Sequence, residues 1–170
     1  MRDLGPKTPH TLAITVDNEP GALARIVGMF SARGYNIESL TVADISEGHE
    51  ISRITIVTSG TDHVVEQIMA QLNRLVPVHG VTDLTAAGAH VEREMALVKV
   101  AGTGDNRVEA IRLAEIYRAR VVHATMDSFI FEITGSAEKV DQFIDLMRQI
   151  GLVEIGKSGI VAISREGARG

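Results

Sequence analysis

Cysteine and tryptophan are both absent from the 170 residues. No disulfide, thiolate nucleophile or Cys-ligated zinc can form, and a reducing cytosol is the expected compartment. Aromatic residues make up only 4% of the chain, which leaves few stacking platforms for single-stranded nucleic acid. There is no excess of positive charge: 17 basic residues face 22 acidic ones, for a formal net charge of −5. A general pull toward nucleic acid is therefore not expected. No apolar run approaches the ~18 residues of a transmembrane helix, and Met1 to Pro9 is polar with no apolar h-region, so neither a membrane span nor a signal peptide is expected. What is there is ordinary: 45% apolar and 23% charged residues, the composition of a globular protein rather than a disordered chain.

The apolar residues fall into two matching halves. Leu12, Ile14 and Val16 alternate with Thr11, Ala13 and Thr15, which predicts a half-buried strand. Leu23, Ile26, Val27 and Phe30 then mark one helix face, with Gly34 placed to end it. Ile37 to Ile45 and Ile51 to Val57 predict a hairpin around Ser46-Glu47-Gly48-His49. Val65, Ile68, Met69 and Leu72 predict a second helix, capped by Asp62 and stopped by Pro77, before a strand at Val78 to Leu84. Ala86 to His90 reads as a linker. The order then recurs: strand at Met95 to Val100, helix face at Ala110, Leu113, Ala114 and Tyr117, strands at Arg120 to Thr125 and Phe129 to Thr134, and helix face at Val140, Phe143, Ile144 and Met147. A last strand, Val153 to Ile163, is expected to be broken by Gly156 and Gly159. Each half is β-α-β-β-α-β, so the expected fold class is α+β with two ferredoxin-like domains in tandem, 10–86 and 91–166.

Little in the chain points to catalysis. None of the six histidines pairs with another at metal-ligand spacing, and no Gly-x-Ser-x-Gly elbow is present. Neither catalytic nor metal-binding residues are expected. Gly102-Thr103-Gly104 begins like a dinucleotide loop, but Arg107 stands where its third glycine belongs; a turn into the following helix is the simpler reading. Glu92-Arg93-Glu94 and Ser164-Arg165-Glu166 read as solvated charge.

The informative stretch is Asp17-Asn18-Glu19-Pro20-Gly21-Ala22-Leu23, between the first strand and the first helix. Pro20 suits a first helical turn, and Gly21 permits close approach of backbone or ligand. The N–H groups of Gly21, Ala22 and Leu23 would offer an anion site, such as one for a carboxylate, and Asn18 could cap the helix or hold a ligand. An ordinary capped helix start accounts for the same residues. Asn36, after Gly34-Tyr35, could serve a turn or a ligand. Gly28, inside the helix, fits either close packing or an open face.

Asp17-Asn18-Glu19-Pro20-Gly21-Ala22-Leu23-Ala24-Arg25, followed by Phe30-Ser31-Ala32-Arg33-Gly34-Tyr35-Asn36-Ile37-Glu38-Ser39-Leu40, resembles the ACT domain of the small regulatory subunits of acetohydroxyacid synthase (acetolactate synthase). His90 to Met95 with Leu97 to Val100, and Lys157-Ser158-Gly159 with Ala162 to Arg165, resemble the start and end of that family's second domain. The resemblance implies an N-terminal ACT domain and an ACT-like C-terminal domain. It implies a cytoplasmic, non-catalytic regulatory subunit of a transferase in branched-chain amino acid biosynthesis. The partner would be a large catalytic subunit carrying thiamine diphosphate, magnesium and FAD; no cofactor is expected on this chain. The small subunit would raise that activity and confer feedback inhibition by valine or another branched-chain amino acid. It would pair through its ACT domains as a homodimer, with the effector at their interface on Asn18, Gly21, Ala22, Leu23, Asn36 and Ile37. The second half lacks the Asn-x-Pro-Gly turn, so only the first looks equipped for an effector. A stand-alone amino-acid-sensing ACT regulator is the alternative.

Overall fold

The computed structural model describes residues 5–166. They divide into two compact units: residues 5–91 with 160–166, and residues 92–159.

In the first unit the order is β1 (Thr8–Asp17), α1 (Ala22–Ala32), β2 (Ser39–Asp44), β3 (Ile51–Gly60), α2 (Asp62–Asn73), β4 (Val78–Asp83) and the short α3 (Leu84–Ala87). The strands form one antiparallel sheet in the order β2-β3-β1-β4. Register places Leu12 opposite Ile56 and Ile14 opposite Ile54. These side chains share one face and pack on Ile26 and Phe30 of α1 and on Val65, Ile68 and Leu72 of α2. Burying each such side chain is worth about 1.5–3 kcal/mol.

The sheet's other face is covered too. Thr11, Ala13, Thr55 and Val57 are buried there, and Ala13 packs with Leu84 and Ala162. The covering residues include Leu84 and the segment from Ile160 to Ala162. The N–H of Ile160 donates to Ser39 Oγ at 2.8 Å, Thr41 Oγ1 donates to the Ile160 carbonyl at 3.0 Å, and Arg53 Nη2 donates to the Ala162 carbonyl at 2.8 Å. Residues 160–166, placed with the second domain on sequence grounds, thus lie in the first unit.

The second unit is built from β5 (His90–Ala101) beyond Val91, α4 (Gly104–Ile116), β6 (Arg120–Ala124), β7 (Ser128–Gly135), α5 (Ala137–Ile150) and β8 (Leu152–Ser164) as far as Gly159, with sheet order β6-β7-β5-β8. Ala96, Val98 and Val100 of β5 and Phe129, Phe131 and Ile133 of β7 pack on Val140, Phe143, Ile144 and Met147 of α5. Each unit is the four-stranded, two-helix ferredoxin-like fold expected. β8 runs through both Gly156 and Gly159, so neither breaks it. Gly151 is irreplaceable for a local reason: a Cβ there would lie 2.2 Å from the carbonyl oxygen of Ala101.

Local details depart from the sequence reading. Thr61, not Asp62, caps α2, accepting the Val64 N–H at 3.3 Å; Asp62 is the first helical residue and adds favourable charge there. The helix ends at Asn73, ahead of Pro77, whose carbonyl instead accepts the Asp17 N–H at 2.8 Å. The stretch read as a linker, Ala86 to His90, begins inside α3, whose last two residues it holds and which Asp83 caps. Glu94, read as solvated, is 4% exposed and pairs with Lys157 at 3.1 Å.

Candidate functional site

β1 ends at Asp17, and the chain turns sharply into α1. Asp17 is fixed through its N–H to Pro77 and by a 2.5 Å pairing of its carboxylate with His79 Nε2. The N–H of Asn18 donates to the Glu50 carbonyl at 2.7 Å, and its Nδ2 donates to the His49 carbonyl at 2.8 Å. Asn18 therefore braces the turn against the β2–β3 hairpin and does not cap α1. His49 adopts a left-handed φ of 56°, and its ring is hydrogen-bonded to the Asp44 carboxylate. That hydrogen bond, with the Ser46 N–H, holds the Asp44 carboxyl below the usual carboxylate range.

Glu19-Pro20-Gly21-Ala22 is a type II turn. Ala22 N–H returns to the Glu19 carbonyl at 3.3 Å, Pro20 occupies the second position, and Gly21 has φ 87° and ψ −8°. Pro20 thus precedes α1 rather than opening it. Gly21 is the N-cap residue, and its φ disfavours any L side chain. Among the described residues, no side chain caps the start of α1. The Ala22 N–H is used by the turn, but the amides of Leu23 and Ala24 have no intrahelical partners and carry the positive end of the helix dipole, a setting that attracts an anion. Leu23 is 38% exposed in that turn. Ala22 is buried, so any part it takes in a site is through its backbone.

Asn36 and Ile37 lie elsewhere. They follow the far end of α1, where the Asn36 carbonyl accepts from Thr58 Oγ1 at 2.7 Å and Ile37 packs against the core. Thr58 sits opposite His10 near the start of β1, whereas Asn18 follows its end. The 11-residue helix between the two groups spans roughly 16 Å. A single chain therefore gathers Asn18, Gly21, Ala22 and Leu23 but does not bring Asn36 and Ile37 to them. A Cβ at Gly28, midway along α1, would meet no described residue within 4 Å, so close packing within the chain does not account for it.

The second unit has no equivalent turn. Gly102-Thr103-Gly104 leads into α4, and the Arg107 guanidinium stacks 4.1 Å above the centre of the Phe129 ring. The conspicuous polar cluster there is Glu94-Lys157-Asp141: Lys157 Nζ lies 3.1 Å from Glu94 and 2.7 Å from Asp141. Burial pulls the Lys157 ammonium down, but the two carboxylates outweigh it and hold it above the usual lysine range. Sequence reading missed this cluster and the His49 brace, because both depend on strand register rather than on spacing.

Known proteins place the chain. Residues 12–80 match the model of the AHAS small subunit-like ACT domain, and residues 93–166 match that of the small subunit of acetolactate synthase. The chain is 48% identical to a probable acetolactate synthase small subunit of Archaeoglobus fulgidus, over 92% of this chain and 96% of that one. It is 44% identical to the acetolactate synthase isozyme 3 small subunit of Escherichia coli, over 91% and 94% respectively. The crystal structure of an acetolactate synthase small subunit from Thermotoga maritima superposes with a TM-score of 0.85 at 38% identity, covering 95% of this chain and 99% of that one. Two ferredoxin-like units, a braced Pro-Gly turn before the first helix and these likenesses along nearly the whole length converge: the chain belongs to the acetolactate synthase small-subunit family.

Proposed function

We propose that this chain is the non-catalytic regulatory subunit of an acetolactate synthase, acting in the cytoplasm. It raises the activity of a large catalytic subunit and confers feedback inhibition by valine or another branched-chain amino acid. The large subunit supplies thiamine diphosphate, magnesium and FAD; this chain supplies the effector site. The observation that carries the reading is the uncapped start of α1 behind the type II turn, with Leu23 exposed beside it. A branched-chain amino acid needs an anion site for its carboxylate, an acceptor for its ammonium and an apolar slot. The first-turn amides suit the carboxylate. The amide oxygens of Asn18 and Asn36 suit the ammonium. Leu23 and Ile37 suit the aliphatic side chain.

The separation of the two residue groups supports a site shared between two copies of the chain. Asn18 to Leu23 of one protomer meet Asn36 and Ile37 of its partner in a homodimer, with the α1 helices side by side and antiparallel. Each dimer then holds two equivalent sites, and binding ties the protomers together. Coupling to the large subunit is a free energy of about 1–3 kcal/mol, typical of allosteric pairs.

The test is calorimetric titration of valine, leucine and isoleucine into the purified chain, alone and with the large subunit. It is paired with an acetolactate assay in pyruvate, thiamine diphosphate, magnesium and FAD. Effector binding by the chain, turnover only when the large subunit is added, and inhibition of that turnover by the bound amino acid are expected. Turnover by the chain alone would overturn the non-catalytic assignment. Effector binding without any association with a large subunit would favour a stand-alone sensor.

A further inference from the structure

The first unit has a second concavity, away from the turn. β4 is an edge strand, and a groove of about 740 Å³ runs between it and α2. Val65, Met69 and Val81 give it an apolar floor. Asp62 and Glu66 stand along the α2 side, both exposed. His10 and Asp83 close one end: their side chains are 7% and 8% exposed, and His10 Nδ1 donates to Asp83 Oδ2 at 2.7 Å. His10 Nε2 lies 3.7 Å from the Asp62 carboxylate. Among the described residues, no lysine or arginine lines the groove.

This lining selects its ligand. A second effector amino acid is disfavoured, because its carboxylate would face the exposed carboxylates of Asp62 and Glu66 with no lysine or arginine beside them among the described residues. Among the described residues no group of His, Asp and Glu is arranged to hold a metal ion. What fits is a cationic group beside an aliphatic one. Among the described residues no strand lies on the outer side of β4, so its edge offers backbone donors and acceptors that a small amine would leave unused and an extended chain would pair. We propose that the α2–β4 groove docks an extended polypeptide segment carrying lysine or arginine next to an aliphatic side chain, and that the segment belongs to the large subunit. This rests on reading the chain as that subunit's regulator. His10 lies near the start of β1 and Asp17 at its end. The groove and the effector turn therefore occupy opposite ends of the same strand, and both can be filled at once.

The experiment measures the affinity of the full chain for the large subunit, and its dependence on salt, for Asp62→Asn/Glu66→Lys. Glu138→Lys/Asp145→Asn on α5 imposes the same charge change as a control, and circular dichroism melting establishes that both variants fold. The groove variant should bind about tenfold or more weakly with a flatter salt dependence, while the control stays within about twofold of wild type. Valine binding by the isolated groove variant should be unchanged. Wild-type affinity in the groove variant, or equal weakening in the control, overturns the groove. Failure of the wild-type chain to bind any large subunit overturns the regulatory reading, and the groove's occupant with it.

Discussion

The side-chain amide of Asn18 donates to the backbone carbonyl of His49 at 2.8 Å, joining the turn before α1 to the tip of the β2–β3 hairpin. Sequence separation of 31 residues is bridged by one exposed hydrogen bond. One Nδ2 hydrogen is thereby used, and in the proposed site Oδ1 would be the acceptor for the effector's ammonium. Asn18→Ala removes both roles. The bond is exposed, so the melting temperature should change little, whereas valine affinity should fall about tenfold or more, the worth of a hydrogen bond to a charged group. Calorimetry on the folded variant checks this.

Leu23 offers a cleaner probe of the effector site than Gly21. With φ at 87°, Gly21 would be strained by any side chain, and loss of binding would be ambiguous. Leu23 is 38% exposed, and an acidic residue in the first helical turn favours the helix by about 0.3–1 kcal/mol. Leu23→Glu should therefore fold normally. Its carboxylate would compete with the effector's own for the helix start. Holoenzyme made with this variant should keep its stimulated rate and lose inhibition by valine. A rate-against-valine curve like that of wild type would remove Leu23 from the site.

Lys157 holds together three elements of the second unit: Glu94 on β5, Asp141 on α5 and its own β8. Lys157→Met leaves Glu94 buried without its cation. Because Lys157 is itself partly solvated, the expected loss is about 1–3 kcal/mol rather than the full cost of breaking a buried pair. The pH dependence has a definite sign. The Lys157 ammonium is held above its ordinary range, so its contribution is complete below that range and disappears as pH rises through the raised value. Denaturant melts of wild type and variant should differ at neutral pH and converge at strongly alkaline pH.

Both ferredoxin-like units were legible because Leu12-Ile14-Val16 and Ile26-Phe30 carry their periodicities openly, as do their counterparts in the second half. What escaped was long-range. Ile160 and Ala162 look like the end of a second-domain strand, and only the three-dimensional fold brings them to Ser39, Arg53 and Ala13. Glu94 sits in a charged run, and nothing local marks it for burial. Thr61 and Asp62 are adjacent capping types, and backbone angles decide between them: Thr61 is extended, with ψ 161°. The turn from Asn18 to Leu23 was readable from Pro20-Gly21, although the turn type was not. That Asn36 and Ile37 stand a helix length from it could be seen only once α1 had ends in space.

The central claim, that each effector site takes Asn18 to Leu23 from one protomer and Asn36 and Ile37 from its partner, is tested most directly by complementation. Leu23→Glu and Asn36→Ala chains carrying different tags are mixed, and the purified heterodimer is titrated with valine. A shared site places both substitutions in one of the two sites and leaves the other intact. Calorimetry should then report one site per heterodimer with wild-type affinity, although neither variant homodimer has any. A heterodimer with no wild-type-affinity site would contradict the account and return the effector to residues of a single protomer.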